Sequence, residues 1–322
     1  LKIDLKAQQV TDIHCFSFGR TGLTPSYLAK IFFAGGPTVM SVHTKTHGSD
    51  LGSSLSFRRL TSALAQLLGV PRRDHDVLIA RAKAARDFNS YAKRLFADAK
   101  IRMVAIDNGI ESVPYEEFEK YAPTKTRRIF RIEPLIKRLL EDSKNYNELV
   151  NEFESEAKSA VRKRGFSGFK TVIAYRTGLD ISPSDEARAR ASFRDGMKDR
   201  AWFGPKVKPL RDYLVNVTAE IASKSGAFLQ IHTGLGDTDI LGDRCNPLLL
   251  QGFLKQERVL KTPIVLIHGG FPYTKEAAWL CSMFPNLYFE LSSPFPPTFL
   301  PVLSKARFAD VLEIVPTNRI VY

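Results

Sequence analysis

The sequence is short of cysteine and of uninterrupted apolar stretches, and each shortage removes a class of protein. Only three cysteines occur in 322 residues, Cys15, Cys245 and Cys281, with no CxxC spacing. So sparse and odd a set argues against a disulfide scaffold and for a reducing compartment. No apolar run approaches the roughly 20 residues that a membrane-spanning helix needs. Residues 1–12 lack the apolar core of a secretory signal. The chain opens on Leu1 rather than Met, which leaves room for upstream sequence. No glycine-rich phosphate loop follows an early strand, as a doubly wound nucleotide-binding sheet would often carry. Nor does a nucleic-acid motif accompany the formal net charge of +13. The basic residues are dispersed, with short clusters at 125–128 and 162–164. They read chiefly as a solvated basic surface, with an anionic macromolecule such as nucleic acid as the lesser alternative.

What remains is ordinary for a globular domain, 44% hydrophobic and 25% charged, and one pattern organises it. Short β-branched and apolar runs recur, most of them closing on a polar residue: Val10–Phe16, Arg102–Gly109, Arg128–Glu133, Phe169–Arg176, Phe228–Thr233, Pro263–Gly269, Leu287–Ser292 and Arg319–Tyr322. Helical periodicity fills most of the gaps. Leu210, Tyr213, Leu214, Val217 and Ile221 keep i, i+3, i+4 spacing, and Gly226 stands where a C-terminal cap belongs. Ser53 or Ser54 is a candidate cap for a helix carrying Phe57, Leu60, Leu64 and Leu68. One helix is expected through Val77, Ala80, Ala84, Phe88, Tyr91 and Leu95, with Asp74 as its N-cap, and another through Tyr146, Leu149, Val150, Phe153 and Ala157. Strands alternating with helices predict parallel βαβ units, and eight of them predict closure as a (β/α)8 TIM-type barrel over one domain, 1–322. An open sheet is the competing reading. Insertions follow strand one (about 17–100) and strand four (177–208), and the final helix of such a barrel is missing from the sequence.

Polar residues at the C-terminal ends of barrel strands point into a shared mouth. Here those positions hold His14, Asp107, Glu133, Arg176, His232 and His268. Histidines from three different strands are a means of holding a divalent metal that acidifies water. A lone strand histidine is more often a core residue, and convergence of three makes the shared site as good a reading. Arg176 and Lys170 are candidates to clamp a substrate carboxylate, although Lys170 is expected at the start of its strand, facing the far end or the helix layer. Asp107 and Glu133 are candidates to orient a histidine or to bind an amine, with a barrel-end salt bridge as the plainer role. Asp237, on the turn after His232, is a candidate partner for a ligand or a simple turn residue. His43 and His47 read as loop residues and His75 as a surface feature.

The segments QIHTGLGD (230–237), VLIHGGFPY (265–273), GFKTVIAYR (168–176) and RIFRIE (128–133), with the closing stretch 314–322, resemble the amidohydrolase-related (amidohydrolase 2) family. They are most similar to the barrel domain found beside a glutamine-synthetase-like domain in FluG-type and nodulin-type proteins. The resemblance covers about residues 55–322, weaker at the start. It implies a metal-binding barrel that hydrolyses or decarboxylates small acids. It also implies a ligand set: a His-x-His pair on strand one, a histidine on each of strands five and six, and an aspartate after strand eight that doubles as general base. Carried over, His14, His232 and His268 are the metal ligands. The second member of the pair falls on Phe16, which has no lone pair to give, and the aspartate falls just beyond Tyr322.

Two functions are therefore expected to compete. One is a metal-dependent hydrolase or decarboxylase, with zinc or manganese, acting on a small acid or amide through catalytic Asp107, Glu133 and Arg176. Substrate contacts would come from Lys170, Arg176 and Asp237. The other is a catalytically impaired barrel that serves as a binding or assembly component, with a protein partner or a fused glutamine-synthetase-like domain. No membrane association is expected, and the compartment reads as cytoplasm or an organelle matrix, the mitochondrion included.

Overall fold

A computed structural model describes residues 8–18, 55–111, 113–199, 204–236, 239–292 and 305–322. Eight strands run parallel in sequence order: β1 (Val10–Ser17), β2 (Ile101–Glu111), β3 (Lys125–Arg131), β4 (Phe166–Thr171), β5 (Phe228–His232), β6 (Ile264–Ile267), β7 (Leu287–Glu290) and β8 (Ile320–Val321). The first and last meet where the Ile13 N–H donates to the Tyr322 carbonyl at 2.6 Å. The expected barrel, and not an open sheet, is the fold.

Around the strands lie α1 (Leu55–Leu68), α2 (Asp74–Ala84), α3 (Phe88–Asp98), α4 (Tyr115–Tyr121), α5 (Ile132–Asp142), α6 (Tyr146–Arg162), α7 (Glu186–Asp199), α8 (Lys208–Ser225), α9 (Thr274–Met283) and α10 (Lys305–Ile314). Apolar spacing sets each buried face: Leu149, Phe153, Ala157 and Ala160 of α6, and Leu210, Leu214, Ile221 and Ala222 of α8, are all buried. Gly226 ends α8 in the left-handed conformation at φ 68°, as the sequence predicts. Period-two alternation then divides the strands. Phe169, Leu229, Ile231 and Leu266 join the cluster formed with the helices, while Lys170, Gln230 and His232 fall on the other parity, towards the barrel axis.

Several expected boundaries move. The single helix through Val77 and Leu95 is two, because the Asp87 carboxylate accepts the Ser90 N–H at 3.2 Å and starts a new helix. Arg73, not Asp74, occupies the N-cap of α2, and no side chain caps it. Strand four spans Phe166–Thr171 rather than Phe169–Arg176, since residues 173–175 wind into a 3-10 turn. Glu133 lies in the first turn of α5 and not at the end of β3. Ser53, Ser54, His43, His47 and Asp237 lie outside the described residues.

Candidate metal centre

Each of the three strand histidines is placed by a local irregularity or a strand end. His14 sits where the register of β1 against β2 slips between Asp12 and Cys15, and the Asp12 carboxylate accepts its N–H at 3.0 Å. His232 is the last residue of β5. His268 follows β6 with φ 71°, and Gly269 and Gly270 continue the left-handed turn at 53° and 64°. A side chain in that region costs about 1–2 kcal/mol, so something must hold it there. The holder is Glu290, a fully buried carboxylate on β7. Its Oε2 accepts the His268 N–H at 2.8 Å, and its Oε1 accepts the Ser292 N–H at 2.6 Å. The Ser292 hydroxyl donates to Oε2 at 2.7 Å and lies 3.1 Å from His268 Nδ1. A hydroxyl has one proton, so while it donates to Glu290 it accepts from Nδ1–H. His268 Nε2 then carries the lone pair. Burial pushes the Glu290 carboxyl up to about 7.

The rings converge. His14 and His268 have centroids 4.9 Å apart, His232 and His268 4.7 Å, and Tyr175 lies against His232 at 4.6 Å. Burial, reinforced by the Lys170 ammonium, holds His14 well below the usual imidazole value. The same two causes bring His232 down to about 3. Burial, then its two histidine neighbours, depress His268 as well. Three imidazoles are thus kept neutral, the form that ligates a metal.

Two observations test that fit. His232 Nε2 is buried without a hydrogen-bond partner, an arrangement that costs about 1–3 kcal/mol unless something fills it. Against that, no group of three or more His, Cys, Asp or Glu side chains among the described residues is gathered for a metal as it stands. The chemistry of the donors fits a divalent ion, while their convergence is incomplete.

Beside the histidines lies a charged row that the register builds. Arg131, Lys170 and Gln230 are partners across β3, β4 and β5. Lys170 is the fifth of six residues of its strand and points into the mouth, not to the far end or the helix layer as the sequence led us to expect. Its Nζ is 2.8 Å from Asp107 Oδ2 and 3.1 and 3.2 Å from the two ring nitrogens of His14. It also lies 5.1 Å from the centroid of Phe16. Arg131 grips the same carboxylate, its Nε at 3.1 and 3.0 Å from the two oxygens and its Nη2 on Oδ2. Gly109 permits this, because a Cβ there would collide with the Arg131 side chain. Burial alone would raise the Asp107 carboxyl, but Lys170 and Arg131 overcome it and hold it far below the carboxylate range. Burial brings the Lys170 ammonium down to about 8, with Asp107 opposing.

The other predicted residues stand apart from this cluster. Glu133 Oε1 accepts the Thr171 hydroxyl at 2.6 Å and the Val172 N–H at 2.8 Å, tying α5 to the end of β4; its Oε2 is buried without a hydrogen-bond partner. Arg176 is one-third exposed and lies 3.7 Å from Asp239. A groove lined by Lys158, Arg162, Lys224 and Arg258 lies between α6 and α8, and no histidine lines it. Three residues of the mouth escaped the sequence reading: Arg131, Gln230 and Glu290. Gln230 Nε2 donates to the Ile13 carbonyl at 2.6 Å, bracing β5 against β1. Glu290 ends a strand, and the rule that selected the histidines would have found it.

Fold and site together define a (β/α)8 barrel of the metal-dependent hydrolase class. The chain belongs to the amidohydrolase family: residues 150–322 match the family described as Amidohydrolase. Protein fluG of Emericella nidulans is 31% identical over 302 residues, covering 84% of this chain and 34% of fluG. The chain thus spans about a third of that relative's length. A provisionally assigned metal-dependent hydrolase from Lactobacillus casei superposes with a TM-score of 0.79 at 26% identity, covering 98% of this chain and 81% of the other. A uronate isomerase from Thermotoga maritima shares the fold at a TM-score of 0.56 and 14% identity, over 90% and 67% of the two chains. Among the described residues no helix is long and apolar enough to cross a membrane.

Proposed function

We propose that the chain is a metal-dependent hydrolase for a small carboxylate- or amide-bearing substrate, with one zinc or manganese ion on His14, His232 and His268. The observation that carries this reading is the unpartnered, buried Nε2 of His232 among three imidazoles kept neutral. The printed name of the Lactobacillus casei neighbour supports the metal dependence. When bound, the ion supplies Lewis acidity at the barrel mouth.

The chain's own residues supply the rest. Asp107, Lys170 and Arg131 carry a net charge of +1 in a dry setting, which suits a substrate carboxylate. Asp107 is a poor proton acceptor, being held ionised by two cations; it positions Lys170. Glu133 fixes the β4 end and, with an Oε2 that no hydrogen bond occupies, is the second carboxylate assigned to the reaction. Arg176, further out, draws acids towards the mouth, and Asp237 is taken as a further substrate contact. Residues 1–322 are read as one barrel domain of a cytoplasmic or organelle-matrix protein. Its partner is a small acid or amide, with a glutamine-synthetase-like domain beside it in a longer chain; nucleic acid is the lesser candidate for the basic surface.

A second reading rests on Phe16 and Lys170 at the very place where a ligand is expected: a barrel that binds or assembles without turnover. Zinc- or manganese-loaded protein screened against small amides and carboxylates separates the two. Hydrolysis or decarboxylation that disappears in His232→Ala supports the enzyme. Retained binding of carboxylates with no turnover across the panel supports the second reading.

A further inference from the structure

The imidazole of His232 is not oriented by its own strand. His232 ends β5, which fixes its backbone, while the outer torsion of a histidine has no sharp preference. The plane of the ring is therefore set by what touches it. One neighbour, His268, meets it edge-on at 4.7 Å and is itself held by Glu290 and Ser292. The backbone of Gly234 and Leu235 acts on the ring in the sense of a hydrogen bond, raising its pKa against burial. Nε2 has no hydrogen-bond partner, so that backbone engages the Nδ1 edge. A third neighbour is Tyr175, whose ring lies at 4.6 Å and is tilted by 55°.

Tyr175 reaches His232 because β4 stops early. Glu133 Oε1 takes the Thr171 hydroxyl and the Val172 N–H, and the Val172 carbonyl then accepts the Tyr175 N–H at 3.0 Å. The Ile173 carbonyl accepts the N–H groups of Arg176, Thr177 and Gly178 at 2.8, 3.0 and 3.1 Å, which closes the turn. A half-buried phenol is thereby carried from the end of strand four to the end of strand five. On its other side the phenol meets the turn that follows His232. A Cβ on Gly236 would fall on the Tyr175 hydroxyl, so the ring fits because that side chain is missing. The turn is anchored in its own right. Gly234 N–H donates to the Cys245 carbonyl at 2.8 Å and Leu235 N–H to the Phe271 carbonyl at 2.7 Å. Tyr175 thus has a fixed wall behind it and the imidazole in front.

We propose that Tyr175 is a positioning residue of the metal centre: its ring, held between His232 and the turn at Gly236, fixes the imidazole with Nε2 bare for the ion. Tyr175 acts through His232 and needs no contact with the metal. The ring does this and not the hydroxyl, because it is the ring that meets the imidazole. Without it, His232 gains a rotational freedom that must be surrendered when the ion binds, and affinity falls accordingly. The inference rests on the reading of His232 as a ligand.

The test is the zinc affinity of the whole chain, measured by competition with a chromogenic chelator. Tyr175→Phe keeps the ring and is expected to bind within about twofold of wild type, while Tyr175→Leu is expected to weaken zinc about tenfold or more. Gly236→Ala should weaken it by a similar factor, because the new Cβ drives the ring from its place. In Tyr175→Leu/Gly236→Ala the second change should then add little, since the ring it displaces is already gone. Circular dichroism and melting check that each variant folds, and Gly236→Ala carries the test if Tyr175→Leu does not. Tyr175→Leu or Gly236→Ala binding as tightly as wild type, while His232→Ala/His268→Ala loses zinc, overturns the positioning role and leaves the metal site standing. Tyr175→Phe as weak as Tyr175→Leu, or losses that simply add in the double variant, overturns the role of the ring. Zinc bound equally by every protein, or by none, overturns the ligand reading and the positioning role with it.

Discussion

Glu290→Gln puts the carboxylate clamp to a direct test. The wild-type side chain is fully buried and meets only donors: the His268 N–H and the Ser292 hydroxyl on Oε2, and the Ser292 N–H on Oε1. Glutamine preserves length and volume but turns one of the two acceptors into a donor. If its oxygen takes the Oε2 place, the Ser292 N–H faces an amide N–H; if it takes the other, the His268 N–H does. Either way one buried backbone donor is stranded, at about 1–3 kcal/mol. The hydrogen bonds that remain lose their charge assistance. Since His268 occupies a left-handed φ that itself costs about 1–2 kcal/mol, the turn has little reserve against that loss. The expected destabilisation is about 2–3 kcal/mol, a sizeable part of the roughly 5–15 kcal/mol that a folded domain retains. Urea unfolding above pH 8, where the Glu290 carboxyl is ionised, reads it as a lowered midpoint with an unchanged slope. A shift below about 0.5 kcal/mol would refute the reasoning, because the turn would then be held by packing alone.

Three further variants probe separate parts of the account. Gly234, at φ 73°, lies so close to the Phe271 carbonyl that an added Cβ would strike backbone, so Gly234→Ala should cost about 2 kcal/mol or more and should part the His232 loop from the His268 turn, seen as a lowered melting temperature. Phe153 is fully buried between α6 and the barrel, and Phe153→Ala should cost about 3–5 kcal/mol in urea unfolding. Burial raises the Asp212 carboxyl in spite of Lys208 and the Ser182 N–H. The folded state therefore holds this proton more tightly than the unfolded state does. Its contribution is greatest below the unfolded value of about 3.9 and declines as pH climbs through the folded one. Asp212→Asn should flatten that slope in stability measured across the acid range; an unchanged slope would show that Asp212 titrates normally.

The barrel was legible because its signal is local and repeated: eight short runs, each closing near a polar residue, with helices between them. His232 and His268 were legible for the same reason, since the end of a strand is a position that the sequence marks; His14 instead lies within β1, at a slip in its register against β2 that no local signal announces. Lys170 departs from expectation because strand four starts three residues and ends five residues before its apolar run 169–176, so a residue next to the strand's end stands near the beginning of that run. Nothing local signals that residues 173–175 leave the sheet. Arg131 is not singled out by the sequence because the run 128–133 offers two arginines on opposite parities, and a glutamate on the same parity as Arg131. Only the register against Lys170 and the gap left by Gly109 show which of them reaches Asp107. The role of Glu290 depends on the unusual φ of His268, a property of the turn as folded.

The central claim is that His14, His232 and His268 hold a metal despite Phe16, and the most direct measurement is elemental analysis after exposure to excess zinc or manganese and gel filtration. The account predicts close to one ion per chain in the wild type and none in His232→Ala/His268→Ala. A wild type that emerges free of metal, or a double variant that retains as much, would contradict it.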